Sequence, residues 1–191
     1  LVFESFVHGT LNIFAKKSNV NTKNRIIGFD TSELGEELAP VGMLITLESI
    51  RSRVMENKRH GITTWIVIDE FHHMTHMPYT ARKVNEFWKE FRAMGGICTG
   101  ITQNIVDITA NPTIVSMVAN SDFVIMLRQG ETDKEVIQKV VGLNDNTLEF
   151  VTGADPGCGV IKIGTKIIPF ENKLPKNTIL YELVNTNFYE K

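Results

Sequence analysis

The sequence predicts an α/β domain with a mostly parallel sheet flanked by helices, and three observations carry that prediction. Short apolar, β-branched runs alternate with helical stretches along the chain, the order that β-α-β units require. One such run, Trp65 to Glu70 (Trp-Ile-Val-Ile-Asp-Glu), ends abruptly in two adjacent carboxylates. A strand buried on both faces is expected to be apolar throughout, so acids at its C-terminal tip fall where open α/β sheets place their ligand crevice. Composition agrees. The 191 residues, 42% hydrophobic and 22% charged, suit one folded domain with a sizeable core and argue against disorder.

Taken in order, Leu11 to Phe14 is expected to be a short strand, Lys16 to Asn24 a polar turn rich in Asn, Ser and Thr, and Arg25 to Asp30 a second strand. Leu34 to Lys58 has helical period, with apolar residues at Leu38, Val41, Leu44, Ile45, Leu47, Ile50, Val54 and Met55. Gly61 closes it, and Pro40 marks a kink or a second helix start. After the Trp65 strand comes a loop rich in His and Met. A helix over Thr80 to Met94 then carries Val84, Phe87, Trp88 and Phe91 and stops at Gly95-Gly96. Ile97 to Thr102 is the next apolar strand, ending at Gln103. A helix over Pro112 to Asn120, a strand over Phe123 to Leu127 and an amphipathic helix over Glu131 to Val141, stopped by Gly142, follow. Gly159 to Phe170 forms a hairpin-like unit, and a polar tail begins after Pro175. We expect residues 1–191 to form one portion of a single domain, with 155–191 as its hairpin and tail.

Charge and cysteine usage narrow the class. A net charge of −2 gives no global pull toward nucleic acid. The basic residues Arg51, Arg53, Lys58 and Arg59 read more simply as the solvated face of a helix, which leaves direct nucleic-acid contact open. The two cysteines, Cys98 and Cys158, show no metal or redox spacing and suit a reducing cytosol. No apolar stretch approaches the ~18 residues of a membrane span, and the first residues lack a signal-peptide pattern.

The carboxylate pair has the form of a Walker B motif. In such motifs the first acid, here Asp69, holds hydrated magnesium, and the second, here Glu70, polarises the water that attacks the γ-phosphate. The plain alternative is a strand ending in a solvated acidic turn. A second strand ending in Thr102 and Gln103 strengthens the nucleotide reading, because a Gln or Thr one strand over can orient that water and sense the phosphate. A Gln that merely caps its strand is the competing account. The phosphate-binding half is missing: no Gly-x-x-x-x-Gly-Lys-Ser/Thr occurs, and the nearest approach, Gly159 to Lys166, belongs to the hairpin. The chain begins at Leu1 without methionine, and we expect a piece of a longer protein whose phosphate loop lies upstream. His72, His73 and His76 suggest a zinc site, but no His-Glu-x-x-His pattern or evident third ligand supports it.

Five segments together resemble the C-terminal half of the conjugation ATPases of type IV secretion, the TraC/TraE-like or "VirB-four" traffic ATPases, in their Gram-positive conjugative-element form. They are FDTSELGEELAPVGM (Phe29 to Met43), TWIVIDE (Thr64 to Glu70), GGICTGITQNIVDI (Gly95 to Ile108), NSDFVIML (Asn120 to Leu127) and ADPGCGVIKIGTKIIPF (Ala154 to Phe170). The resemblance implies a RecA-like P-loop core of the additional-strand class, ATP and Mg2+ as cofactors, and a homo-oligomeric, hexameric parent. That parent would work with other secretion components at the inner, cytoplasmic face of the membrane. It implies Asp69 as the magnesium ligand, Glu70 as the catalytic base, Gln103 as the glutamine of the third motif and Thr102 beside it on the nucleotide. Arg92, where the family has an Arg-Lys pair before Gly-Gly, and Arg128 are candidates to reach the nucleotide, Arg92 from a neighbouring subunit. Ala93 replaces the usual lysine, and for either arginine a surface salt bridge is the competing role.

In this class the phosphate-loop strand lies between the Gln103 strand and the Phe123 strand. A chain without it has a gap to be closed by its N-terminal segment, by another copy or by rearranged strands; otherwise its sheet stays split. Such a piece is expected to bind nucleotide poorly and to hydrolyse it negligibly. The rival functions are a DNA-pumping coupling protein or FtsK/HerA-like translocase, and a non-catalytic docking platform for secretion components.

Overall fold

A computed structural model describes residues 21–35, 38–75, 77–103, 105–109 and 111–186, together with residues 4, 8, 9, 12, 16 and 17. The chain divides into two compact units, Leu1–Thr102 and Gln103–Lys191.

The first unit is a β-α-β arrangement with an extra helix. Helix α1 (Ala39–Arg59) has a proline in its first turn, which costs nothing where N–H groups have no intrahelical partner, and ends on Lys58 and Arg59, matched to the negative end of the helix dipole. Pro40 therefore starts the helix. Strand β1 (Thr64–Ile68) follows, then a 3-10 turn over Phe71–Met74, helix α2 (Pro78–Ala93) and strand β2 (Gly96–Gly100). In α2 the buried residues Thr80, Ala81, Val84, Phe87 and Phe91 recur at helical spacing on one face, and Phe87 stacks on Phe91 at 5.4 Å. Gly95 takes a left-handed φ of 76°, and a Cβ on Gly96 would lie 2.8 Å from that of Phe91. The glycine pair thus supplies first the turn and then the clearance that lets β2 follow α2 directly. Arg51 fastens α1 to α2, with its guanidinium 3.5 Å from Glu90 and over the Phe87 ring at 5.7 Å.

β1 and β2 pair in parallel from Thr64 opposite Gly96 to Ile68 opposite Gly100. Burial alternates along β1: Ile66 and Ile68 are inside, whereas Trp65 is 72% and Val67 61% exposed. The expectation of a strand buried on both faces is thus corrected. One sheet face carries the packing, and Trp65, Val67, Ile97 and Ile101 leave the other apolar and open within this unit.

The second unit contains α3 (Ile105–Thr109), α4 (Pro112–Ala119), β3 (Phe123–Leu127), α5 (Lys134–Val141), α6 (Asp145–Thr152), β4 (Cys158–Ile163), β5 (Lys166–Glu171) and α7 (Ile179–Val184). β3, β4 and β5 form an antiparallel sheet in that order. Its core is one cluster of Ile105, Met126, Ile137, Val141, Leu143, Leu148, Val151 and Val160. Asn111 and Asn144 cap α4 and α6 by accepting the N–H of Thr113 and Thr147, each at 2.9 Å. Gly142, at φ 75°, ends α5, and Lys162 donates to the Val141 carbonyl at 2.6 Å.

The five described strands lie in two sheets, β1-β2 and β3-β4-β5, and the N-terminal segment expected to close a gap lies mostly outside the described residues. Of the strand expected at Leu11 to Phe14, all but Asn12 lies outside the described residues. Arg25 to Asp30 forms no strand. No described segment pairs with its backbone, and Ile26 is 87% exposed. The neighbouring carbonyls of Thr22 and Asn24 instead accept from the Arg53 guanidinium at 2.7 and 3.4 Å. The reading also missed α3, α6 and α7, each of eight residues or fewer. No described helix is long and apolar enough to cross a membrane.

Candidate functional site at the tips of strands β1 and β2

The parallel ladder continues past its last regular pair with one residue too many. Ile101 N–H donates to the Ile68 carbonyl at 2.9 Å, which makes Asp69 its opposite number. A regular parallel ladder would then return the Ile101 carbonyl to Glu70 N–H. Here it accepts from Phe71 N–H at 2.8 Å instead. Glu70 is thus the extra residue of a bulge, and its N–H turns back to Asp69 Oδ1 at 3.0 Å. The bulge puts Glu70 at φ 46°, ψ 48°. Among the described residues it is the one non-glycine with positive φ. A left-handed glutamate costs about 1–2 kcal/mol, which surrounding structure has to offset.

Phe71 supplies the anchor. It is buried, packs on Trp88 of α2 at 5.6 Å between ring centroids, and lies over Gly100, where a Cβ would come within 3.2 Å of its ring. The following turn is pinned by Thr75, whose N–H and hydroxyl both donate to the His72 carbonyl, at 3.0 and 2.8 Å. His72 Nδ1 lies 3.3 Å from Glu70 Oε2, and its ring meets that of His73 in a tilted contact at 4.1 Å. Sequence reasoning weighed His72 as a zinc candidate and missed this contact, which depends on the 3-10 turn that follows the bulge. Among the described residues no three metal-ligating side chains converge, and His76 lies outside them.

Asp69, Glu70 and Thr102 therefore gather at the tips of two adjacent strands. Asp69 is exposed and Glu70 half-buried. Thr102 Oγ1 is a buried hydroxyl oxygen without a hydrogen-bond partner. An orphaned acceptor beside an exposed carboxylate fits the magnesium half of a nucleotide site, since Mg2+ needs only one or two protein oxygens and completes its shell with water and phosphate. Gln103, exposed, is next in the chain and begins the second unit. Arg92 is not brought to this place. It sits in the last turn of α2, just before β2 begins, so the length of that five-residue strand, roughly 16 Å, separates it from the tips. Arg128 is exposed just after β3. In β2, burial pushes the Cys98 thiol up to about 12, which disfavours the thiolate.

Comparison with known proteins agrees with this architecture. The chain is similar to the solved structure of VirB4 of Thermoanaerobacter pseudethanolicus, with a TM-score of 0.75 and 20% identity. The match covers 94% of this chain and 50% of that one, so the chain spans about half the length of that structure. No curated protein sequence matches it. The model of the TraG P-loop domain family matches residues 11–155. An α/β unit with a parallel strand pair ending in Asp69-Glu70 and Thr102-Gln103 is in keeping with that match, and the chain belongs to the TraG P-loop domain family.

Proposed function

We propose that this chain is the water-activating part of an ATPase that energises conjugative, type IV secretion. The observation that carries the proposal is the gathering of Asp69, bulged Glu70 and Thr102 at neighbouring strand tips. Magnesium, when bound, would neutralise phosphate charge. Asp69 and the Thr102 hydroxyl are the oxygens fitted to hold it. Glu70 accepts the proton of the attacking water, and Gln103 orients that water against the γ-phosphate. Catalysis of this kind is positioning and electrostatics, so a left-handed backbone that aims one carboxylate contributes directly.

The triphosphate itself needs a loop of backbone N–H groups and a lysine, which these 191 residues do not contain. The isolated chain is therefore inactive in this reading, and turnover belongs to a parent protein that supplies the loop. That parent acts as a homo-oligomer, a hexamer, with other secretion components at the cytoplasmic face of the membrane. Its geometry within one subunit keeps Arg92 far from Glu70, so Arg92 acts, if on nucleotide at all, on that of a neighbouring subunit. Arg128 is the second arginine candidate.

The test is Mg2+-dependent ATP hydrolysis by the parent protein that supplies the phosphate loop, wild type against Glu70→Gln, with and without DNA. A loss of at least about 100-fold in the variant is expected for removal of a general base. Turnover indifferent to DNA supports secretion, whereas strong stimulation by DNA moves the protein to the DNA-pumping class. A wild type that binds nucleotide and never turns it over is a docking platform.

A further inference from the structure

We propose that His72 is the positioning residue of Glu70, fixing which carboxylate oxygen meets the attacking water. The inference rests on the reading of Glu70 as the base. Glu70 Oε2 and His72 Nδ1 are 3.3 Å apart, and both atoms are shut off from solvent, although the Glu70 side chain as a whole keeps 33% exposure. The contact is off the hydrogen-bond line, so it acts as a close electrostatic contact rather than an aligned bond. With Oε2 enclosed, water has to meet the carboxylate at Oε1.

His72 is itself held from several directions. Its carbonyl takes two bonds from Thr75, which is 4% exposed. Its ring touches that of His73 in a tilted contact and its own side chain is only 19% exposed. On the other side, Phe71 under Trp88 fixes the backbone between the two partners. Glu70 gains a left-handed backbone from the bulge, which sends its side chain off the regular alternation of a strand, and His72 then limits where that side chain can turn. A glutamate carboxylate on three free torsions would sample many orientations. One pressed against a packed imidazole samples few, and the productive fraction rises.

The experiment compares His72→Ala, His72→Asn and Glu70→Gln in the full-length parent protein, reading kcat and KM for ATP. His72→Ala is expected to lower kcat about 10- to 100-fold with KM changed less than twofold, the signature of lost orientation rather than lost binding. His72→Asn places an amide nitrogen where Nδ1 stood and is expected to recover most of the rate. Adding His72→Ala to Glu70→Gln should cost nothing further, because His72 acts only through Glu70. A wild-type or faster rate in His72→Ala overturns the proposal. So does an equal loss in His72→Asn with an unchanged melting temperature, which makes the ring a packing element. If His72→Ala fails to fold, His72→Asn decides, alone and combined with Glu70→Gln. Full turnover in Glu70→Gln, by contrast, removes the base assignment on which the inference stands.

Discussion

The two units solve the same problem, a small sheet with one packed face, in opposite ways. The second builds a framework. Its eight-residue apolar cluster contains no ionisable side chain, its helices α4 and α6 have asparagine caps, and Gly159 serves close packing. A Cβ on Gly159 would fall 2.1 Å from the Met126 carbonyl oxygen, so β3 and β4 approach at a distance only glycine allows. The first unit packs α1 and α2 as regularly, yet at the end of β1 it carries a bulge, a left-handed glutamate and a buried hydroxyl without a partner. Departures from local rules collect where function is proposed, and the framework unit avoids them.

Stability measurements test that contrast. Gly159→Ala should be the most damaging change, because backbone must move to admit a methyl group; we expect a loss of about 3 kcal/mol or more in urea denaturation. Ile137→Ala, at a fully buried site, follows with about 2–4 kcal/mol by the same measurement. At the strand tips the sign should reverse. Glu70→Gly relieves the left-handed strain and is expected to raise stability by up to about 1 kcal/mol, while turnover of the parent protein disappears. Thr102→Val replaces an unpaired buried hydroxyl by a methyl group and should lie within about 1 kcal/mol of wild type, on the stable side, again with lower turnover. Should Glu70→Gly or Thr102→Val destabilise as much as Ile137→Ala, the tips belong to the framework and the contrast fails.

Much of the scaffold was legible in sequence because its signals are periodic. β3 was found at its observed bounds, and α2, α4 and the hairpin to within two residues. The Asp69-Glu70 and Thr102-Gln103 doublets were legible because polar residues interrupting apolar runs stand out at a strand end. The bulge was not. Two consecutive acids look alike in sequence whether the strand runs straight or gains a residue, and only the partner of the Ile101 carbonyl distinguishes the cases. The one-sided burial of β1 was equally hidden, since Trp-Ile-Val-Ile carries no polar alternation to report which face is covered. Arg25 to Asp30 failed for the converse reason: local β propensity cannot supply a neighbouring strand.

The placement of the two tryptophans makes the molecule its own optical reporter. Trp65, 72% exposed on the open face of β1, stands four positions before Asp69, so its indole emits from water; anything that comes to cover that face will shift its emission to the blue. Trp88, half-buried, rests against Phe71 and so monitors the anchor of the Glu70 turn. With only these two indoles in the chain, replacing either by phenylalanine leaves a single-colour signal. Covering of the sheet and loosening of the Glu70 turn can then be followed separately, without attaching a label.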